Sequence, residues 1–249
     1  RGALDQAKNL GIRIEPIWIM EPGMKGSRME NILIHRGIQG LIFPTPRHGL
    51  DTYGINWDHF AMTILSGRPE TDKFTKVDVD FYANTELLLE KLIEFGYRKI
   101  GLAISDHLDW ASERKVHARF VYHNTLVPED NRVPVFEEKD LEHDGRPERF
   151  INWVKTYQPD CIVTFWKEAF DWLKSANYEV PKDIGLASYN VTEETFDWSG
   201  IRTNQARAGA IAINSVLSNL ARFEYGPGKH HARTVIKGFW APGSTVVKQ

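Results

Sequence analysis

One stretch, residues 76–114, constrains the fold of this chain more than any other. Its first part, 76–80, alternates apolar and polar residues, as a strand does near the end of a sheet. A helix with a leucine-rich apolar stripe follows and ends at Gly96, and the apolar run 100–104 comes next. A strand, a helix and a second strand within this length predict a βαβ unit, whose two strands are parallel.

Both strands of this predicted unit end in polar residues. Asp80 follows the first strand, and the segment 105–109, Ser-Asp-His-Leu-Asp, follows the second. The carboxyl ends of parallel strands meet at one edge of a sheet, and open α/β folds bind their ligands there. The sequence therefore predicts a ligand site at this edge.

The rest of the chain repeats the alternation of strands and helices. Further strands are predicted at 13–20, 40–43, 60–65, 133–136, 161–165, 184–189 and 234–240, with helices at 29–36, 114–124, 148–157, 168–176 and 207–223. Such alternation is typical of doubly wound parallel sheets. A length of 249 residues allows one α/β domain or two lobes.

Composition excludes several classes of protein. A net charge of −2 argues against a broad nucleic-acid surface on this chain, because such surfaces are basic. No apolar run is long enough to span a bilayer, and no signal peptide is visible. The single cysteine, Cys161, permits no internal disulfide, fits a reducing compartment and lies in an apolar run, where we expect a buried side chain.

The sequence contains no clear catalytic or metal-binding motif. There is no phosphate-cradling glycine loop, no Gly-x-Ser-x-Gly elbow and no evident pair of carboxylates. The adjacent His230 and His231 lack the spacing and partners of a metal site. We expect a protein that is not an enzyme and that has no metal or other cofactor, although an enzyme stays an alternative because doubly wound folds often carry enzymes.

Five motifs occur in a recognisable order: 37–43, 77–101, 158–162, 180–186 and 238–245. They include Gly-Ile-Gln-Gly-Leu-Ile-Phe, Gln-Pro-Asp-Cys-Ile and Val-Pro-Lys-Asp-Ile-Gly-Leu. In this order they resemble the ligand-sensing core of the LacI/GalR family of transcription regulators. Arg114 opens a predicted helix, as an arginine does in that family. That core shares the fold of type I periplasmic sugar-binding proteins.

The resemblance implies an α/β fold of two doubly wound parallel-sheet lobes with a ligand cleft between them. Residues 1–97 and 206–233 would form the first lobe, and residues 98–205 and 234–249 the second. It also implies a cytoplasmic homodimer in which a sugar or related small polyol closes the lobes and alters binding to operator DNA. The DNA would be bound by an N-terminal helix-turn-helix head, which is expected upstream of this chain. A periplasmic sugar-binding protein of a transporter is the alternative with the same fold.

Four polar residues are candidates for binding the ligand's hydroxyl groups. Arg114 presents a planar fork of donors, whereas Asp80, Asn190 and Gln205 offer acceptors, with donors on the two amides. A structural role remains an alternative for each: Arg114 as a surface residue at a helix start, Asp80 as a helix cap, and Asn190 and Gln205 as turn residues.

Three aromatic residues, Trp110, Phe165 and Trp166, complete the candidate set. Aromatic faces pack on the apolar faces of sugar rings in mixed pockets, although core packing is the alternative for each, as it is for Trp198. Phe165, Trp166 and Asn190 depart from the residues that the family usually has at their positions, and the identity of the ligand therefore stays open.

Overall fold

The computed structural model describes residues 2–19, 21–44, 50–66, 71–139, 145–228 and 232–249. Its helices are α1 (Gly2–Asn9), α2 (Gly26–His35), α3 (Phe81–Glu94), α4 (Asp106–Ala111), α5 (Lys115–Leu126), α6 (Arg146–Tyr157), α7 (Ala169–Ser175) and α8 (Gln205–Ala221). Its strands are β1 (Gly40–Phe43), β2 (Ala61–Leu65), β3 (Thr75–Val79), β4 (Ile100–Ser105), β5 (Phe136–Glu138), β6 (Cys161–Thr164), β7 (Gly185–Ser188), β8 (Ser199–Arg202), β9 (Arg233–Ile236) and β10 (Phe239–Ala241).

The chain divides into two compact units. Unit 1 contains residues 1–79 and 204–236, and unit 2 contains residues 80–203 and 237–249. Each unit has its own sheet, built mainly from parallel strands that alternate with helices. This architecture confirms the predicted α/β fold class. Among the described residues, no helix has both the length and the apolar character that a membrane span requires.

Unit 1 contains a four-stranded sheet in which every pair of neighbours is parallel, in the order β1-β2-β3-β9. One side of its core comes from α2, whose buried Met29 and Leu33 pack with Phe60, Met62 and Ile64. The long helix α8 packs on β1, β2, β3 and α1. Its small residues, such as the buried Gly209 and Ala212, let neighbouring backbones approach closely.

The strand predicted at 13–20 is not formed in the part of unit 1 that the structure describes. Residues 12–19 belong to no sheet, and Met20 lies outside the described residues. Within those residues β1 pairs with β2 alone, and 12–19 and β1 line a cavity of about 1530 Å³. An alternating apolar pattern becomes a strand only where a neighbouring strand accepts its hydrogen bonds, and none of the described strands lies beside 12–19.

Unit 2 contains a six-stranded sheet in the order β10-β8-β7-β6-β4-β5, in which only β10 runs antiparallel to its neighbour. All residues of β4, β6 and β7 are buried. Helices cover both faces of such sheets, and their central strands therefore consist largely of apolar residues. Cys161 lies in β6 and is fully buried, as predicted.

The first chain crossing lies earlier than predicted. The sequence placed it near residue 97, whereas the chain enters unit 2 after Val79. Helix α3 therefore belongs to unit 2, because its buried Leu88 and Leu92 share one core with Tyr97 and Ile201. The predicted βαβ unit is wrong for the same reason, because β3 pairs within the sheet of unit 1 whereas β4 pairs within the sheet of unit 2. The apolar stripe of α3 is visible in the sequence, but the sheet that buries it is not.

Two elements beside the predicted ligand edge were not predicted from the sequence. Helix α4 lies where the sequence indicated only a polar segment after the strand, and β8 was not predicted. Gly200 in β8 has a φ of 155°, and a Cβ atom there would lie 1.9 Å from the carbonyl oxygen of Ser188. Glycine thus permits β8 to approach β7 closely, in a segment without the apolar run of a typical buried strand. Strand β5 begins at Phe136 rather than Val133, and the predicted segment 234–240 contains two strands, β9 and β10.

Candidate functional site

The carboxyl edge of the unit 2 sheet collects most of the predicted ligand-binding residues. Strands β4, β6 and β7 are parallel neighbours, with Ala103 level with Thr164 and Thr164 level with Ser188. Helix α4 follows β4, Phe165 and Trp166 follow β6, and Asn190 follows β7 by two residues. Six of the seven candidates belong to unit 2, whereas Gln205 is an exposed residue at the start of α8 in unit 1.

The segment after β4 is a short helix followed by a strained turn. Ser105 caps α4, since its Oγ accepts a hydrogen bond of 3.2 Å from the backbone N–H of Leu108. Glu113 and Arg114 have φ values of 55° and 59°. The left-handed conformation is unfavourable for residues other than glycine and costs about 1–3 kcal/mol for each residue that adopts it. Residues in this conformation cluster at functional sites.

The same turn places Arg114 and Trp110 near the sheet edge. The backbone N–H of Arg114 donates a 2.8 Å hydrogen bond to the carbonyl oxygen of Asp109, which fixes the residue directly before α5. The Arg114 side chain is exposed. Trp110 is half-buried, and its ring centroid lies 6.0 Å from that of His107. A rigid backbone thus presents an exposed guanidinium and a partly exposed indole.

Phe165 rests on a fixed aromatic support. Its ring stacks on Tyr189 with centroids 4.5 Å apart and an interplanar angle of 26°. The Tyr189 hydroxyl donates a 2.6 Å hydrogen bond to the carbonyl oxygen of Phe81 and lies 2.9 Å from the Thr85 hydroxyl. Burial is the main cause that raises the pKa of Tyr189 far above its ordinary value, so the phenol stays protonated. The half-buried Phe165 ring is therefore held in a defined position.

Trp166 belongs to the core of unit 2 and also lines a cavity. Its ring contacts Phe136 and Trp172, each with centroids 6.0 Å apart, and the guanidinium of Arg146 lies 5.2 Å from its centroid. This arrangement is a cation–π contact. The adjoining cavity has a volume of about 500 Å³ and is lined by Ser105, His107, Leu108, Arg146, Pro147, Trp166, Glu168 and Trp172.

Asn190 and Asp80 both make local hydrogen bonds. The Oδ1 atom of Asn190 accepts a 2.8 Å bond from the Thr203 hydroxyl, which orients the amide at the edge. Asp80 caps α3, because its Oδ1 accepts a 3.0 Å bond from the backbone N–H of Ala83. Asp80 therefore has the helix-capping role that was the alternative to ligand binding. A capping carboxylate still has acceptor sites for a second donor.

Several residues at this edge were not predicted from the sequence. Tyr189 supports Phe165, Thr203 orients Asn190, and Arg146 covers Trp166. The position of Tyr189 directly before Asn190, at the end of a predicted strand, was an available signal. Thr203 and Arg146 gave no such signal, because only the folded chain brings them to these partners. Trp198 packs in the core with its centroid 5.8 Å from that of Phe170.

The sequence matches no family model and no curated protein. Solved structures match over almost the whole chain. A LacI transcriptional regulator from a Rhodococcus species is 15% identical with a TM-score of 0.73, over 99% of this chain and 92% of that one. A LacI family transcriptional regulator from Enterococcus faecium with bound ribose is 12% identical with a TM-score of 0.66, over 100% of this chain and 92% of that one. The lac repressor dimer bound to operator and the anti-inducer ONPF is 15% identical with a TM-score of 0.70, over 99% of this chain and 76% of that one.

At these low identities the likeness establishes the fold, and it does so across both units. The resemblance drawn from the ordered motifs is confirmed at this level. The chain has the two-lobed α/β fold of LacI-family transcriptional regulators.

Proposed function

We propose that this chain is the effector-binding core of a LacI-type transcription regulator and that its effector is a sugar or a related small polyol. The observation that carries the proposal is the match to LacI-family structures over almost the entire chain. One similar regulator holds ribose, and the lac repressor structure holds operator DNA. The similar structures are regulators rather than enzymes, and the proposal accordingly includes no reaction.

The proposed effector contacts on unit 2 combine donors, acceptors and one aromatic face. Arg114 offers an exposed planar fork for paired hydroxyls, and Asn190 offers an amide oriented by Thr203. Phe165 offers a ring fixed by Tyr189, which suits the apolar face of a sugar ring. Asp80, Trp110 and Trp166 are proposed to complete this edge. Gln205 of unit 1 is proposed as a further contact.

The proposed regulator acts as a cytoplasmic homodimer on operator DNA. Effector binding would change the spacing of two N-terminal DNA-binding heads, and that spacing must match the separation of the half-sites. The effector thereby controls affinity for the operator. The proposal for the core alone is testable without the heads, because effector binding stabilises the folded state.

A thermal-shift panel of pentoses, hexoses and uronic acids tests the effector class. A sugar present at about 100 times its dissociation constant stabilises the folded protein by ~2.7 kcal/mol. We expect a shift for at least one member of the panel. If no sugar or polyol at millimolar concentration shifts the melting temperature, the proposed effector class is wrong.

The variant Arg114→Ala tests the site. It should abolish the sugar-dependent shift and leave the melting temperature without sugar nearly unchanged, because the side chain is exposed. Arg132→Ala is the matched control: Arg132 is another exposed arginine of unit 2, before the amino end of β5. An undiminished shift in Arg114→Ala would place the site elsewhere.

A further inference from the structure

Three potential metal ligands converge beside the turn that carries Arg114. His117 Nδ1 lies 3.7 Å from Asp109 Oδ1 and 3.8 Å from Glu137 Oε2. One donor atom from each residue lies within 4.8 Å of the others. The three residues come from α4, α5 and β5, so the cluster joins three separate elements of unit 2.

Asp109 supplies a second, independent observation. Its side chain is only 7% exposed, and its Oδ1 atom has no hydrogen-bond partner among the described residues. The distance of 3.7 Å to His117 is longer than a hydrogen bond. A buried carboxylate oxygen without a donor is costly, and a cation bound beside it would offset that cost.

The backbone fixes this buried carboxylate in place. The carbonyl oxygen of Asp109 accepts hydrogen bonds of 2.8 Å from the Arg114 N–H and 2.9 Å from the Ser112 hydroxyl. A bound cation would stabilise the carboxylate that burial disfavours.

We propose that Asp109, His117 and Glu137 bind a divalent transition-metal ion with the ligand preferences of Zn²⁺. One imidazole nitrogen and two carboxylate oxygens form a ligand set that such ions accept, and the two carboxylates balance the charge of the ion. Metal–ligand bonds of about 2.0–2.2 Å separate tetrahedral ligands by roughly 3.4 Å. The two measured separations from His117 therefore have to shorten by only a few tenths of an ångström.

The cluster is accessible to solvent from one side. Asp109 is buried, His117 is half-buried, and Glu137 is exposed at the rim of the cluster. Solvent therefore reaches the ligands from the side of Glu137, where water can complete the coordination. A bound ion would tie α4 and α5, which flank the strained turn, to β5. This inference does not depend on the proposed effector.

A cobalt titration tests the site. Protein stripped with a chelator and desalted is titrated with Co²⁺, followed by visible absorption, and Zn²⁺ is then added as competitor. We expect one Co²⁺ per chain and its displacement by Zn²⁺. The variants Asp109→Asn and His117→Gln should each weaken binding by at least about tenfold.

Two further variants make the result decisive. Glu137→Gln changes an exposed residue, so weaker binding in this variant cannot be ascribed to loss of the fold. The double variant His230→Gln/His231→Gln is the control. It replaces two histidines that are neighbours in the sequence, lie outside the described residues and are not among the proposed ligands, and it should keep the Co²⁺ affinity of the wild type. Absence of Co²⁺ and Zn²⁺ binding, or equal affinity in the wild type and the three ligand variants, would overturn the proposal.

Discussion

The two sheets of this protein are stabilised in different ways. In unit 2 every residue of β4, β6 and β7 is buried, and the strands are largely apolar. In unit 1 the central strands β2 and β3 have four and three buried residues of five, and in the edge strands three of four residues are only partly buried in β1 and three of four are exposed in β9. The cavity lined by β1 and residues 12–19 accompanies this lower burial. Burial of apolar surface is the dominant stabilising contribution, and we infer that unit 2 is the more stable unit.

Unit 1 also has charged residues inside its sheet. Asp78 of β3 is 2% exposed and forms a 2.7 Å ion pair with Arg233 of β9. Lys76 of the same strand is also 2% exposed and pairs with Asp72. A buried charge needs its partner more than an exposed one does. Both units have apolar cores, but the sheet of unit 1 also contains buried charged residues that depend on their partners.

The largest difference should come from equivalent truncations in the two sheets. Leu102→Ala in β4 removes a side chain that is fully buried, and we expect a loss of about 2–5 kcal/mol. Leu41→Ala in β1 should lower stability by roughly 1 kcal/mol, because Leu41 is only partly buried and already faces the cavity. Hydrogen exchange of the backbone amides of β4 and β1 in urea measures the free energy of unfolding of each unit separately. Equal losses would contradict the comparison.

Removal of one charge should test the ion pair of unit 1. Arg233→Met leaves Asp78 buried without this partner, and we expect unit 1 to lose about 3 kcal/mol. Arg222→Met is the matched control, because its pair with Glu224 is more than half exposed and should contribute little to stability. Urea denaturation monitored by hydrogen exchange of β3 gives both values. A similar effect of the two substitutions would show that burial adds nothing to the Asp78–Arg233 pair.

Mild acid should produce the smallest effect, within unit 2. His123 of α5 is buried, and burial, followed by the charge of Arg119, lowers its pKa. Below about pH 6.5 the unfolded chain binds a proton at this residue that the folded chain does not bind. The contribution of neutral His123 to stability is therefore fully present above this pH, and it is lost as the pH falls toward the lowered pKa of the folded state. His123→Gln should reduce the difference in urea midpoint between pH 7.5 and 5.5, and an unchanged difference would exclude this origin.

The periodic segments could be predicted from the sequence because they depend on local pattern. The stripe of α3, the apolar β4 and the glycine that separates them predict a helix followed by a strand without knowledge of any partner. That β3 and β4 belong to different sheets could not be predicted in this way. Helix α4 could not be predicted this way, because it is short and polar and depends on the Ser105 cap. Strand β8 also escaped prediction, since its pairing depends on the close approach of Gly200 to Ser188.

The candidate site was predictable as an edge but not as a set of contacts. Strand ends in the sequence placed Phe165 and Asn190 on the same edge, because neighbouring parallel strands end together. The cap formed by Asp80 and the core position of Trp166 required the fold. The three proposed metal ligands lie at positions 109, 117 and 137, which share no sequence motif, and only the packing of α4, α5 and β5 brings them together.

The sequence by itself determined the α/β class and the order of most elements. These features follow from side-chain periodicity and chain direction, which are local properties. Tertiary structure alone decided that α3 belongs to unit 2, that residues 12–19 form no strand among the described residues, and that Asp109 is buried beside His117. The reason is physical: burial, strand pairing and electrostatic contact depend on which distant segments become neighbours, and periodicity within one segment does not contain that information.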